Sequence, residues 1–139
     1  MTALLAPPEG RQVFTREIEP VPSDIDANGH VNNVVYLDWA QQIATAHWRA
    51  RAPADEQGKW AWVALRHEVD YRRALKLGEV AHARTWVADA ADGPRFDRFV
   101  RIDGPDGAMC AQVLTTWVLI EQATGRPRRV PAWMVEIFG

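Results

Sequence analysis

The sequence predicts an α+β fold in which an antiparallel sheet of five strands wraps around one long helix. One segment is apolar around most of its helical circumference, which is typical of a buried helix. Five other segments have strand-like patterns, and turn residues separate the last four, so consecutive strands can pair as hairpins. With 139 residues, 47% of them hydrophobic, the chain can bury one core and is expected to form a single domain.

The first strand and the helix follow each other near the start of the chain. Apolar and polar residues alternate over residues 13–21, and Pro22 ends this strand. A helix is predicted from Asn33 to about residue 50, with Asn32 or Asn33 as its N-cap. Because apolar side chains occupy most of its circumference, we expect this helix to be buried on all sides.

The rest of the chain is predicted to form the remaining strands. Residues 52–59 are a polar loop, residues 126–129 a basic turn, and residues 131–138 a short terminal helix or coil. The last long strand is apolar enough for the middle of a sheet. Such a sheet has open edges, and pairing two edges between subunits is a common way to cover them. The four strand segments are residues 60–71, 80–88, 95–103 and 109–120.

The composition argues against several classes of partner. The net charge is −2 and the pI about 6.1, so nothing in the charge favours nucleic-acid binding. No apolar stretch approaches the roughly 20 residues of a membrane span. The start of the chain lacks the basic residues of a signal peptide. We therefore expect a disordered lead-in over residues 1–10, a domain over residues 11–139 and a cytoplasmic location.

Cysteine and histidine are too sparse and too scattered for a metal centre. The apolar neighbours of Cys110 favour a buried small hydrophobic residue over a nucleophile. His47, His67 and His82 lie in separate predicted elements without metal-ligand spacing, so packing or exposed strand faces are their expected roles. No phosphate-binding glycine loop is present, and we expect neither a metal nor a cofactor.

Residues 24–39, DIDANGHVNNVVYLDW, hold most of the polar groups that could do chemistry. Two carboxylates, a histidine and three amides surround one glycine, directly before the predicted helix. A loop can place such side chains, and the first turn of a helix presents unpaired backbone N–H groups to negative charge. The sequence therefore predicts a reactive site where this loop enters the helix.

The same segment resembles the active-site loop of hotdog-fold thioesterases of the 4-hydroxybenzoyl-CoA thioesterase type. Bacterial members of that family have the pattern D-x-D-x-x-G-x-V before a helix whose first turns contain a tyrosine. Asp24, Asp26, Gly29, Val31 and Tyr36 fall on that pattern. The resemblance implies a hotdog fold, and it places the family's catalytic carboxylate, three residues before the glycine, on Asp26.

The GHVNN run is also similar to bacterial long-chain acyl-CoA thioesterases and to plant acyl-carrier-protein thioesterases. The plant loop D-x-N-x-H-V-N-N places its aspartate, asparagine and histidine on Asp26, Asn28 and His30. Those enzymes use a glutamate–cysteine pair after a Tyr-Arg-Arg run, and the run is present here at residues 71–73. Alanine and leucine stand in place of the pair at residues 74–75, which argues against a mechanism with a second glutamate there.

The resemblance implies hydrolysis of an acyl-CoA or acyl-carrier-protein thioester to free acid and thiol. Asp26 would be the nucleophile or general base, and backbone N–H groups near Asn33 would hold the oxyanion. An Asx-turn is the structural alternative for Asp26, and Asp24 is expected to stabilise a turn. His30 could bond the thioester carbonyl, hold Asp26 in place or simply be buried. Asn28 could orient a water or adopt a left-handed turn conformation.

Substrate binding is assigned to Tyr36, Arg72, Arg73 and Arg128. Guanidinium groups suit the phosphates of coenzyme A, and a solvated strand edge or turn is the alternative for each arginine. The seven tryptophans indicate an apolar surface beyond the core of one subunit, either a subunit interface or an acyl pocket. We therefore expect a homodimer or homotetramer.

Two other functions stay open at this point. A hotdog hydratase or dehydratase has the loop D-x-N-P-x-H, whereas here the histidine is one residue early and Gly29 replaces the proline. A non-catalytic scaffold that binds acyl thioesters would have no need of Asp26. Release of thiol from acyl-CoA, hydration of an enoyl-CoA, or binding without either reaction would distinguish the three functions.

Overall fold

A computed structural model describes residues 4–139 and confirms the predicted α+β architecture. One long helix packs against one face of a curled antiparallel sheet with five long strands. The strand and helix bounds are β1 (Phe14–Ile18), α1 (Asn33–Arg51), β2 (Trp60–Tyr71), β3 (Ala81–Val87), β4 (Arg95–Asp103) and β5 (Met109–Glu121).

The sequence located each of these elements. The bounds of β2 and β4 are as predicted, whereas β1 ends at Ile18 rather than at Val21. The strand order is β1-β3-β4-β5-β2, so β5 lies between two neighbours, as its apolar sequence indicates. Strands β1 and β2 form the two edges of the sheet.

Two short elements lie where a loop and a turn were expected, and a third is a helix in the segment predicted as a short terminal helix or coil. Helix α2 (Ala54–Gln57) interrupts the predicted polar loop, where Pro53 precedes the helix and Asp55 lies in its first turn. Strand β6 (Arg126–Pro127) occupies the predicted basic turn and pairs with the end of β5. Helix α3 (Ala132–Glu136) closes the chain.

The core lies between α1 and the inner face of the sheet. Helical spacing brings the buried side chains of Tyr36, Trp39 and Ile43 onto one face of α1. Strand register brings Val100 of β4 opposite Val113 of β5, and both are almost fully buried. Burying a side chain of this size contributes about 1.5–3 kcal/mol, so these contacts set the position of α1 on the sheet.

The other face of α1 is exposed in the single chain. Val34 is 66% exposed, and Asp38, Gln41 and Thr45 lie along the same exposed side. The interpretation of a helix buried on all sides is therefore wrong for one subunit, because the sheet covers only one side of the helix. The apolar content of α1 led to that interpretation, but small alanines account for part of it.

The segment before β1 contains no helix or strand from residue 4 to residue 10. Within it, the N–H of Leu5 donates to Gln112 Oε1 at 2.7 Å, and the Leu5 carbonyl accepts from Arg101 Nη1 at 3.0 Å. The first three residues of the expected lead-in lie outside the described range. No helix within residues 4–139 is long and apolar enough to cross a membrane.

Cys110 is buried, as predicted. Only 1% of its surface is exposed, and it packs in the cluster that contains Val113 and Tyr36. Within residues 4–139, no three histidine, cysteine or acidic side chains are grouped so that they could hold a metal ion.

A buried polar network joins the second half of α1 to the sheet. His47 is fully buried, and its Nε2 lies 2.7 Å from Gln12 Oε1. Arg98 Nη1 lies 2.9 Å from His47 Nδ1 and donates to Thr85 Oγ1 at 3.0 Å. Because a guanidinium can only donate, Nδ1 of His47 is the acceptor and the ring proton lies on Nε2, facing Gln12. His47 thus serves packing, as expected, and is held as a neutral imidazole.

Acidification should destabilise the fold through His47. Burial, then the charges of Arg98 and Arg51, lower the pKa of His47 from 6.5 to about 3. Between these values the unfolded chain binds a proton that the folded chain excludes. The free energy of unfolding should therefore fall as the pH drops through this window, by at most about 1.4 kcal/mol per pH unit. Urea unfolding at several pH values measures this slope.

The variant His47→Asn provides the control, because its amide oxygen keeps an acceptor near the position of Nδ1 without a titrating group. Its unfolding free energy should lack the added slope between about pH 6 and pH 4. An equal slope in both proteins would show that other groups cause the acid sensitivity.

Candidate active site

The loop before α1 is a tight hairpin. Ile25 and Val31 form an isolated antiparallel bridge at its base. The N–H of Asp26 donates to the His30 carbonyl at 2.9 Å, and the N–H of Gly29 donates to the Asp26 carbonyl at 3.0 Å. Gly29 has a φ of 78°, a left-handed conformation that glycine adopts without steric cost. The chain therefore reverses over residues 26–29, immediately before the helix.

Gly29, not Asn28, supplies the left-handed residue of this turn. Within residues 4–139 no residue other than glycine has a positive φ, so the left-handed alternative for Asn28 is wrong. The N–H of Asn28 instead donates to Asp26 Oδ1 at 2.9 Å, which forms an Asx-turn. Oδ2 of Asp26 has no hydrogen-bond partner in the described part of the chain. The structural role of Asp26 thus leaves one carboxylate oxygen available to a substrate or water.

Asp24 fixes the loop to the elements around it. Its Oδ2 accepts from the N–H of Val21 at 2.9 Å, and its carbonyl accepts from the N–H of Asn32 at 2.9 Å. These bonds confirm Asp24 as a turn stabiliser. The N–H of Val31 donates to the Leu75 carbonyl at 2.8 Å, which connects the loop to the segment after β2.

The N-cap of α1 is Asn32, and Asn33 is the first helical residue. Asn32 Oδ1 accepts from the N–H of Val34 at 3.2 Å, and the Asn32 carbonyl accepts from the N–H of Val35 at 2.9 Å. The N–H of Asn33 has no acceptor among residues 4–139. This unpaired donor lies at the positive end of a 19-residue helix, where it can stabilise a developing negative charge.

The loop residues and the first residues of α1 line one cavity of about 380 Å³. The loop, the helix start and the segment after β2 each contribute to it. It brings together seven of the eight side chains assigned to the site from the sequence: Asp26, Asn28, His30, Asn33, Tyr36, Arg72 and Arg73. The other lining residues are Val31, Asn32, Tyr71 and Ala74.

His30 lines this cavity with a partly buried side chain. Its imidazole makes no hydrogen bond to another residue within 4–139. It is the backbone carbonyl of His30, not the ring, that bonds to Asp26. The ring is therefore not the group that holds Asp26 in place.

Two tyrosines connect α1 with the end of β2. Tyr36 is only 2% exposed, and its hydroxyl accepts from the N–H of Leu75 at 3.2 Å. Burial raises the pKa of Tyr36, so its phenol stays protonated at neutral pH. The Tyr71 hydroxyl donates to the Asn33 carbonyl at 3.0 Å, and the two rings pack edge to face with centroids 5.8 Å apart. Tyr36 therefore acts mainly by positioning the segment after β2.

Tyr71 also lines this cavity, although the sequence-based prediction does not include it among the candidate site residues. The alternation of β2 places it on the same side as Val69, which packs against the core. That alternation is the signal that could have found it.

The arginines differ in position. The backbone N–H of Arg72 donates to the Cys110 carbonyl at 2.8 Å, and the Arg73 side chain pairs with Asp106. Arg128 does not line the cavity. Its Nη2 lies 3.2 Å from Glu121 Oε1, beside β6. The structure therefore brings Arg72 and Arg73 to the cavity and leaves Arg128 out.

A model of the thioesterase-like superfamily matches residues 20–138, which include the loop, the helix and every strand after β1. The chain belongs to this family. Membership confirms the resemblance found in the loop and makes the chain a thioester hydrolase. This favours hydrolysis over the hydratase and the non-catalytic alternatives.

Solved structures agree with this assignment. A thioesterase from Thermus thermophilus, complexed with coenzyme A and zinc, is 26% identical with a TM-score of 0.79; the match covers 94% of this chain and 93% of that one. A predicted thioesterase from Bacillus stearothermophilus is 25% identical with a TM-score of 0.78, and the match covers 90% of this chain and 92% of that one. A 1,4-dihydroxy-2-naphthoyl-CoA thioesterase from Synechocystis shares the fold: it is 18% identical with a TM-score of 0.76, and the match covers 90% of this chain and 95% of that one. No curated protein matches the chain.

Replacing Gly29 with alanine should reduce stability through the backbone alone. Its φ is 78°, and no heavy atom lies within 4 Å of the position that a Cβ would take. The expected cost is the left-handed conformation itself, roughly 1–2 kcal/mol in the free energy of unfolding. Urea unfolding measures it.

Gly58→Ala is the matched control, because Gly58 also has open space around it but has a φ of −80°. This variant should be as stable as the original protein or more stable, by up to about 1 kcal/mol. Equal losses of unfolding free energy in both variants would mean that the left-handed conformation at position 29 does not require a glycine.

Proposed function

We propose that this protein hydrolyses acyl-CoA thioesters, with Asp26 as the group that attacks the carbonyl or activates water. One observation carries the proposal: Asp26 and Asn33, the residue whose backbone N–H is unpaired at the start of α1, line the same cavity. Thioester hydrolysis needs a base or nucleophile and a donor for the oxyanion, and these two groups supply both. The coenzyme A bound to the Thermus thermophilus thioesterase supports the same carrier here.

Two routes fit these residues, and both need an ionised Asp26. As general base, Asp26 takes a proton from water, and the hydroxide attacks the thioester carbon. As nucleophile, Asp26 bonds to that carbon directly, and water later hydrolyses the mixed anhydride. In each route the carbonyl oxygen becomes negative and accepts from the N–H of Asn33, after which the C–S bond breaks and the thiolate takes a proton.

The cationic side of the cavity gives a place for coenzyme A. We assign its phosphates to Arg72 and Arg73, because guanidinium groups bind phosphate oxygens in a bidentate manner. Tyr71, which directly precedes these arginines in the chain, donates to the Asn33 carbonyl at the helix start. An acyl-carrier-protein substrate presents a phosphate on the same type of arm, so it would meet the same groups.

Asp26→Asn should abolish most turnover and leave the fold intact. The amide oxygen still accepts from the N–H of Asn28, so the Asx-turn is kept, but the negative charge is lost. Removal of a general base lowers turnover by about 10²–10⁴-fold. Release of thiol from a panel of short, long and aromatic acyl-CoAs measures it.

Asp24→Asn is the matched control, because Asp24 lies two residues earlier and bonds the backbone of Val21. It should lose some stability and keep most of its turnover. If Asp26→Asn keeps more than about a third of the activity, Asp26 is a turn residue and not the base.

Asn33→Pro should fold and fail to turn over. Proline suits a first helical position and removes the N–H proposed for the oxyanion. The preceding residue, Asn32, has φ −61° and ψ 139°, an extended conformation that proline tolerates before it. Losing one oxyanion donor typically costs about 10²–10³ in turnover.

Asn33→Ala keeps the N–H and provides the comparison. Because Asn32 rather than Asn33 caps the helix, this variant should lose little stability and little turnover. Circular dichroism confirms that both variants fold before turnover is compared. A folded proline variant with near-normal turnover would place the oxyanion elsewhere, with His30 as the next candidate.

We further propose that the chain forms a homodimer or homotetramer through the open edge of β2. This 12-residue strand pairs only with β5 within the described chain, and it exposes Val63 and Leu65 by 53% and 55%. A long edge strand with apolar side chains favours pairing with a second copy. Light scattering should give the mass of a dimer or tetramer, and a uniform monomer at micromolar concentration would contradict this.

A further inference from the structure

A second cavity, of about 470 Å³, lies beside the other end of α1. Its helical lining begins at Ala44, 11 residues after Asn33, which is about 16 Å along the axis at 1.5 Å per residue. Four of the seven tryptophans and two phenylalanines form its walls, and they account for much of the aromatic content noted in the sequence. These residues are Trp48, Trp60, Trp62, Trp117, Phe96 and Phe138.

A buried cation without a carboxylate partner lies in the wall of this aromatic cavity. Arg98 is only 6% exposed and lines the cavity. Its Nη1 bonds His47 Nδ1 and Thr85 Oγ1, which are both neutral acceptors. The ring of Phe138, with its centre 5.0 Å from the guanidinium carbon, adds a cation–π contact but no hydrogen bond. The Nε and Nη2 groups of Arg98 have no acceptor in the part of the chain from residue 4 to residue 139.

The charge of Arg98 is present at neutral pH. Burial lowers the pKa of Arg98 to about 9, which is still above 7. Asp97 also lines the cavity, but its Oδ1 accepts from the Thr116 hydroxyl at 2.7 Å, and it forms no ion pair with Arg98. A buried charge without an opposite charge is costly, and an anion next to it would offset that cost.

Trp117 lies on the same face of the sheet as Arg98, but its indole N–H is buried in the wall and does not face the cavity. Nε1 of Trp117 is buried without a hydrogen-bond partner among the described residues. By contrast, Nε1 of Trp60, in the same cavity, donates to Glu56 Oε2 at 2.8 Å. The register pairs Phe96 with Trp117, and Phe96 lies two residues before Arg98 on β4, so all three side chains leave the same face of the sheet.

We propose that the aromatic cavity binds a monocarboxylate with a flat apolar body, whose carboxylate accepts from Arg98. A carboxylate accepts from the Nε and Nη2 groups of Arg98 and pairs with its charge, whereas a neutral acceptor leaves the charge unpaired. The tryptophan and phenylalanine walls suit a flat ring system. The volume falls within the range of about 300–1,000 Å³ that is usual for small-molecule sites. This site is separate from Asp26 and does not depend on hydrolysis.

Isothermal titration calorimetry with two matched probes tests the proposal. Biphenyl-4-carboxylate should bind the original protein with one site per chain. Biphenyl-4-carboxamide has the same shape without the charge and should bind at least roughly tenfold more weakly. Absence of binding by the acid, or equal affinity for acid and amide, would overturn the proposal.

Arg98→Met should weaken binding of the acid by at least roughly tenfold and should remove the preference over the amide. If this variant does not fold, the comparison of the acid with the amide decides the question. Asp26→Asn should bind the acid as the original protein does, whatever its turnover. Loss of binding in Asp26→Asn would place the ligand in the loop cavity and overturn the proposal.

Discussion

The packing of one face of α1 against the inner face of the sheet positions everything else in this molecule. Tyr36, Ala40, Ile43 and His47 lie on that face at successive turns of the helix. Since a helix is a rigid rod, fixing this face on the strands fixes both of its ends at once. The first end lines the same cavity as Asp26, and the other end forms part of the aromatic cavity. Substitutions in the middle of the helix would therefore change the geometry of both cavities.

Different interactions hold the two cavities in shape. Backbone hydrogen bonds shape the loop cavity: an Asx-turn, a bridge between Ile25 and Val31, and an N-cap at Asn32. Its polar groups stay partly exposed, so water can reach them. Side chains shape the aromatic cavity, where Arg98 and His47 are buried and depend on each other. A buried hydrogen-bond network tolerates few substitutions, because a buried donor or acceptor that loses its partner destabilises the fold by its full desolvation penalty.

Local patterns predicted the strands and the loop well. Alternation in Arg95–Asp103 and the turn residues around it gave the bounds of β4, because both signals are local in sequence. The clustering of Asp26 with Asn33 could be predicted for the same reason, since only seven residues separate them. The sequence left open whether Asn32 or Asn33 caps the helix, because both are good caps and the choice depends on one backbone angle, the ψ of Asn32, which is 139°.

Contacts between distant segments could not be predicted in the same way. The grouping of Arg98 with His47 and Trp117 depends on strand register and on the rotation of α1, neither of which is a local property. One signal was present in the sequence. Arg98 lies two residues from both Phe96 and Val100, so the alternation of the strand places its charge on the same face as these apolar side chains. Arg128 was grouped with the other arginines by residue type alone, and its position beside Glu121 shows the limit of that argument.

The burial of Cys110 has a practical consequence for work with thiol reagents. It is the one cysteine of the chain, and burial raises the pKa of its thiol to about 11. A thiol that is both inaccessible and protonated reacts slowly with disulfide reagents and alkylating agents. The folded protein therefore adds little background when released coenzyme A is titrated with such reagents. Labelling of Cys110 would in turn report on opening of the core, since the reagent reaches it only when β5 separates from its neighbours.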